Sequence, residues 1–216
     1  MHIPTWTKIL TLLLCMFSTC ASAIEIQGVS GEFTVGLGPI SLGKVIMTYQ
    51  CEKETCHYRT KVNGSFMWID ADIDEQGSYV QFDHQLSPLT THYEEKIGSK
   101  HKEYKYDFLS MEIENEKNKK RTKLKEIAYP YTLLLNQLAL DLKNEGPKEY
   151  YDYLSNQKVK RATVTSYNKT PVKEGTLHRL VAKRKDLTLA FSFIQQGEQL
   201  QFEKLEYNAF DMSRKK

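Results

Sequence analysis

The feature that most constrains this chain is the period of its apolar residues. Tyr104, Tyr106 and Phe108 alternate with Glu103, Lys105 and Asp107, so an extended backbone puts three rings on one face and three charges on the other. The same period recurs in Phe33, Val35 and Leu37, in Val45, Met47 and Tyr49, in Tyr58, Thr60 and Val62, and in Leu187, Leu189, Phe191 and Phe193. Turn-forming residues separate these runs roughly every 8–12 positions, the spacing of an all-β domain. The fold expected is mostly β: an antiparallel, closed or nearly closed, barrel-like sheet of about a dozen strands, since closure hides edges that would otherwise pair with other chains. Its interior lining is expected to include Tyr104, Tyr106, Phe108, Leu187, Leu189, Phe191 and Phe193.

Local signals predict the connections. Phe66 to Ile73 reads as a strand ending in a turn at Asp74-Glu75-Gln76-Gly77, with a return over Tyr79 to Leu86 and a break at Pro88. Asp70, Asp72, Asp74 and Glu75 lack the glycine and the twelfth-position Glu of a calcium loop, and are assigned to the solvent face of that strand and its turn. Val159 to Tyr167 is a strand, followed by a longer connection through Asn168-Lys169-Thr170-Pro171. Leu200 and Phe202 alternate on one parity but Leu205 and Tyr207 on the other, which predicts a bulge near Glu203-Lys204. Acids in Met111 to Glu116 face bases in Arg121 to Ile127 across a hairpin. One segment has helical period: after Pro130, Leu134, Leu138 and Leu142 fall at i, i+4, i+8, and Gly146-Pro147 ends the run. A helix plugging the end or side of the β structure is expected there.

The first 23 residues carry one cation, Lys8, then an apolar run from Ile9 to Phe17 and the small-x-small pattern Ala21-Ser22-Ala23. This is the pattern of a secretory signal peptide cleaved after Ala23. The run is about half of the roughly 20 apolar residues a transmembrane helix needs, and no later run is longer. The expected organisation is a signal peptide over 1–23 and one domain over 24–216. The alternative processing is lipidation at Cys20, which would make the protein an outer-membrane lipoprotein. Export leaves two cysteines, Cys51 and Cys56, around a four-residue polar turn, and an even pair in an oxidising compartment reads as a disulfide.

The charge of +3 comes from 30 Lys+Arg against 27 Asp+Glu, interleaved along the chain. No nucleic-acid partner is expected from such a balance. The histidines beyond the leader, His57, His84, His92, His101 and His178, have no metal-binding or catalytic spacing and are assigned to strand surfaces. Nucleotide-binding and hydrolase motifs are absent from the sequence, so neither a cofactor, a metal site nor a catalytic residue is assigned.

Four stretches resemble a known group, the bacterial envelope proteins of domain-of-unknown-function family 3108. They are Gly31 to Gly43, Ser87 to Glu94 leading into Tyr104 to Phe108, Tyr129 to Leu142, and Lys173 to Leu180. The chain departs from the family at Tyr129, where an aspartate helix cap is usual. The resemblance implies a periplasmic, barrel-like fold akin to the lipoprotein-localisation carriers that hold acyl chains, and it brings no catalytic residues. The function expected is a non-catalytic periplasmic envelope protein that binds a lipid or other hydrophobic envelope component, or assists envelope assembly with other envelope proteins. The alternatives are an enzyme acting on envelope glycans or lipids, and a structural interaction module.

Overall fold

The computed structural model describes residues 28–67, 69–155 and 157–215. The expected signal segment, Ala23 and Cys20 lie outside these residues. Fourteen strands and one helix follow in the order β1 (Gly31–Leu37), β2 (Ile40–Glu52), β3 (Thr55–Phe66), β4 (Ile69–Phe82), β5 (Gln85–Ile97), β6 (Lys100–Asp107), β7 (Glu112–Asn115), β8 (Lys120–Lys123), α1 (Tyr131–Asn144), β9 (Tyr150–Ser155), β10 (Lys158–Val172), β11 (Gly175–Arg184), β12 (Leu187–Gln196), β13 (Gln199–Tyr207) and β14 (Phe210–Arg214). They form one antiparallel sheet ordered β8-β7-β6-β5-β4-β3-β2-β1-β14-β13-β12-β11-β10-β9. The first and last strands therefore pair in its middle. The strands that flank the helix in sequence, β8 and β9, lie at opposite edges. Every strand connection but one is a hairpin, and the one that carries α1 has to travel from edge to edge.

Most hairpins are tight. Gly38, Lys53, Asp83, Gly98, Lys185, Gly197 and Asn208 each open a two-residue loop at positive φ, a handedness that matches the twist of the flanking strands. Cys51 and Cys56 are register partners on β2 and β3 and are joined by a disulfide, their Cα atoms 4.0 Å apart. Loop entropy assigns so small a ring about 2 kcal/mol. Ser192 faces Lys204 while Phe193 faces Phe202, which leaves Glu203 as the extra residue of the expected bulge. Arg121 reaches Glu114 across the β7–β8 hairpin at 2.8 Å, as the charge pattern predicts.

Three local expectations are corrected. Residues 74–77 are the middle of β4, not a turn. Gly77 is there because both neighbouring strands crowd it: a Cβ would lie 2.3 Å from the Thr90 carbonyl oxygen on β5 and 2.7 Å from the Tyr58 Oη on β3. Pro88 does not end β5; Ser78 faces Thr90 and Tyr79 faces Pro88, so the proline sits in a bulge, where a missing N–H is tolerated. The connection expected at 168–171 is strand, because β10 runs on to Val172. Pro171 lies beyond the reach of β9, on a stretch paired with β11 alone, so its lost donor disrupts no ladder.

The sheet is antiparallel and mostly exposes one wet face, but it is not closed by hydrogen bonds, in contrast to the barrel expected. Its two ends overlap instead. Tyr104, Tyr106, Phe108 and Ile113, on the inner side of β6 and β7, pack with Leu124, Ala128 and Leu154, and with the half-buried Val159. Leu154 and Val159 are register partners that point away from Tyr151 and Tyr153, which face the main core. The inner face of one edge thus lies on the outer face of the other. The free side of β9 is covered by Tyr129, which donates to Asp152 O at 3.0 Å and accepts from Leu154 N at 2.9 Å. That bridge occupies the middle of the β9 edge, which there offers no ladder to another chain.

The main core lies between the concave face and α1. Leu134, Leu138 and Leu142 meet Phe33, Phe193 and Phe202 there, with Phe202 central at 5.3 Å from Phe33 and 5.2 Å from Phe193 between ring centroids.

Candidate ligand-binding site

The two ends of the helix are closed in different ways. Gly146, at φ 94°, donates to Asp141 O at 2.7 Å and closes the C-terminus. At the N-terminus, Pro130 offers no side-chain cap. The cap comes from the sheet: the Glu75 carboxylate accepts the N–H groups of Thr132 at 2.8 Å and Tyr131 at 3.3 Å. Thr132 adds a hydroxyl contact to Thr60 at 2.7 Å. Glu75 is only 4% exposed, which corrects its assignment to the solvent face. Burial pushes its pKa up, and the bonds from Thr132 and Tyr131 work against that rise. The signal was one of parity, since Glu75 shares the face of Ala71 and Ile73 while Asp70, Asp72 and Asp74 point outward.

The polar residues of α1 are buried and hold backbone. Gln137 accepts the Leu86 N–H at 2.7 Å and donates to His84 O at 2.9 Å, and Asn136 accepts the Val29 N–H at 2.6 Å. Asp141 accepts from Tyr151 Oη at 2.8 Å and from Gln137 at 2.6 Å. Its pKa is raised by burial, against the pull of Tyr151, Gln137 and Lys148. These bonds tie the helix to the end of the sheet that bears the β4–β5 turn and the disulfide.

At the opposite end, where the β1–β2, β3–β4, β5–β6, β11–β12 and β13–β14 turns lie, the concave face is left uncovered. A cavity of about 210 Å³ opens between Leu134, Leu135 and the wall of Leu187, Leu189, Phe191 and Leu205. A second, of about 380 Å³, is lined by Val35, Leu42, Val62, Ile69, Ile97 and Phe210 with almost no polar surface. It exists partly because Gly43 and Gly64 face each other across β2 and β3; a Cβ on Gly43 would come within 2.4 Å of Asn63 O. Tyr207 of the first cavity is the register partner of Phe210 in the second, so the two adjoin across one hairpin. Ile40, Met67, Ile69 and Phe210, all exposed, crown this end.

Two cations stand in the first cavity, Lys160 and Arg184. Lys160 Nζ donates to Ser155 Oγ at 2.5 Å. Its pKa is pushed down by burial first, and then by Arg184, Lys158 and Lys185. Among the described residues, neither Lys160 nor Arg184 forms an ion pair, although eighteen such contacts occur elsewhere.

Of the residues expected to line an interior, Leu187, Leu189 and Phe191 border this cavity and Phe193 is buried deeper in the main core. Tyr104, Tyr106 and Phe108 belong to the overlap of the sheet ends instead. Sequence reasoning missed Lys160 and Arg184, which are unremarkable among 30 basic residues.

Several other titratable groups that could suggest chemistry have structural partners. A hollow of about 80 Å³ holds both Glu75 and Glu95. Glu75 is committed to the helix, and Glu95 accepts from Tyr93 at 2.7 Å and Lys102 at 2.5 Å. Burial raises the Glu95 pKa, but the Lys102 and Tyr93 bonds outweigh it and the net shift is downward. His178 is fully buried, which corrects its assignment to a strand surface. Its ring nitrogens meet Tyr167 Oη at 2.7 Å and Gln195 Oε1 at 2.8 Å, and burial lowers its pKa. On the outer face, ligand atoms of Glu94, His101 and Glu103 lie within 4.8 Å of one another, but Lys96 Nζ occupies Glu94 at 2.6 Å and His92 bonds Glu103 at 2.9 Å. That is a ladder of cross-strand pairs. A depression of about 580 Å³ also lies on this outer face among polar side chains such as the paired Glu114 and Arg121. No helix of the described residues is long and apolar enough to cross a membrane.

No family model, curated protein or solved structure matches the chain.

Proposed function

We propose that this is a non-catalytic protein of the bacterial envelope, exported to the periplasm, that shelters the apolar part of a lipid or another hydrophobic envelope component. The observation that carries this reading is the uncovered concave end. Two adjoining apolar cavities there fall together within the roughly 300–1,000 Å³ of ligand sites, and exposed apolar side chains surround them. The export pattern of the leader and the resemblance to family 3108 support the compartment. The helix lets one fold do both jobs: it closes the far half of the concavity as core and stops short of the near half.

The test is native mass spectrometry, with lipid extraction, of the mature protein purified from a periplasm. A co-purifying hydrophobic molecule, displaced by a fluorescent acyl chain, is the expected result. Failure of the protein both to carry a ligand and to bind the fluorescent chain would overturn the reading. The enzymatic alternative has Glu75 and Glu95 as its candidate pair, and their commitment to the helix N-terminus and to Lys102 argues for a structural role.

A further inference from the structure

Building on the apolar-ligand reading above, we infer that the ligand is an anionic amphiphile, whose acid head is bound by Lys160 and Arg184 while its chain lies against Leu134, Leu187, Leu189 and Leu205. Lys160 and Arg184 stand on neighbouring strands: β10 pairs with β11 from Thr163 and Lys183 onward, which leaves both residues at the adjoining strand ends that line the cavity. Both side chains lie on the concave side, partly buried, at the rim of an apolar wall.

Two cations against such a wall repel each other and lose hydration, a cost that an anion between them removes. The depressed Lys160 pKa has this origin, with burial and Arg184 as its leading causes. Lys158 and Lys185, exposed in the adjoining hairpins, extend the positive rim, with Asp186 of the β11–β12 turn as an acid beside them. Arg59, Arg161 and Arg179, which pair with Asp74, Asp152 and Glu206, lie on the outer face, whereas Lys160 and Arg184 share the concave one. The pair at the mouth differs from those cations in bordering apolar space. A chain longer than the first cavity holds continues past Tyr207 into the second.

The chemistry named is an acid head on a long apolar chain, and a fatty acid or an anionic phospholipid would each supply it. The test uses delipidated mature protein and displacement of a fluorescent acyl probe by three competitors: oleate, phosphatidylglycerol and the uncharged oleyl alcohol. Oleyl alcohol measures the apolar site alone. At least one anionic competitor is expected to bind about tenfold more tightly than oleyl alcohol. The advantage should shrink with added salt and vanish in the Lys160→Gln/Arg184→Gln double variant, whose affinity for oleyl alcohol stays unchanged. Preference for oleate would identify a fatty acid, and preference for phosphatidylglycerol a phospholipid. Equal affinity for all three, independent of salt, would overturn the assignment of the head while leaving the apolar site standing. Absence of binding by any chain would instead overturn the apolar-site reading on which it rests.

Discussion

The two ends of the concave face are built from the same kind of strand and come out differently. At the disulfide end, α1 covers the sheet, its leucines meet Phe33, Phe193 and Phe202, and Gln137, Asn136 and Asp141 satisfy backbone and hydroxyl groups. At the other end the strands run past the start of the helix, and Leu187, Leu189 and Val35 remain only half-buried. Alternation produces an apolar face along the full length of a strand, but one fourteen-residue helix, about 21 Å long, cannot cover a sheet of strands up to 15 residues, about 50 Å. What is left over is the uncovered apolar face on which the proposed site lies.

This contrast can be broken most sharply by truncation in the filled half. Phe193→Ala should cost about 3–5 kcal/mol in denaturant unfolding, because a fully buried ring leaves a cavity in packed surroundings. Leu205→Ala at the mouth, already bordering open space, should cost less than about 1 kcal/mol; similar costs for the two would mean that the ends are equally packed. Gln137→Leu comes next, at about 2–4 kcal/mol, since it strands the Leu86 N–H and the His84 carbonyl. It should also speed hydrogen exchange at Leu86.

A pH comparison probes the helix start. The folded Glu75 pKa lies above its unfolded value, so the folded state holds the proton more tightly and the contribution of this group to stability falls as pH rises through that interval. Subtracting the stability of Glu75→Gln from that of the wild type across acidic pH should show a decline with rising pH. A difference that grows with pH would reverse the assignment of burial as the dominant cause. Smallest of all, Lys160→Gln or Arg184→Gln should shift stability by no more than about 0.5 kcal/mol, since neither closes an ion pair among the described residues.

Much of the fold was legible because period-two alternation and charge pairing are local. The strands, the β7–β8 pairing, the bulge at Glu203 and the disulfide all follow from spacing. The turn assigned to residues 74–77 was misread because Asp and Gly are ambiguous alone: Gly77 answers to the Thr90 carbonyl and the Tyr58 ring on the neighbouring strands, not to a bend in its own. Pro88 was misread for the same reason, since a bulge is a property of two strands. His178 and Glu75 were placed in solvent because polarity suggested it, although both share parity with apolar neighbours. Of the candidate site, the wall of Leu187, Leu189 and Phe191 was visible and its cations were not.

The sequence by itself determined which residues share a face, because side-chain direction in a strand alternates whatever the strand packs against. It also determined the one segment able to form a helix and the pair of cysteines able to cross-link. Only the tertiary structure decided what each face meets. The edge-to-edge passage of the chain laid α1 over half of the concavity, let the sheet ends overlap instead of pairing, and brought Lys160 and Arg184 to one mouth. Those outcomes depend on contacts between strands far apart in sequence, and no local period encodes them.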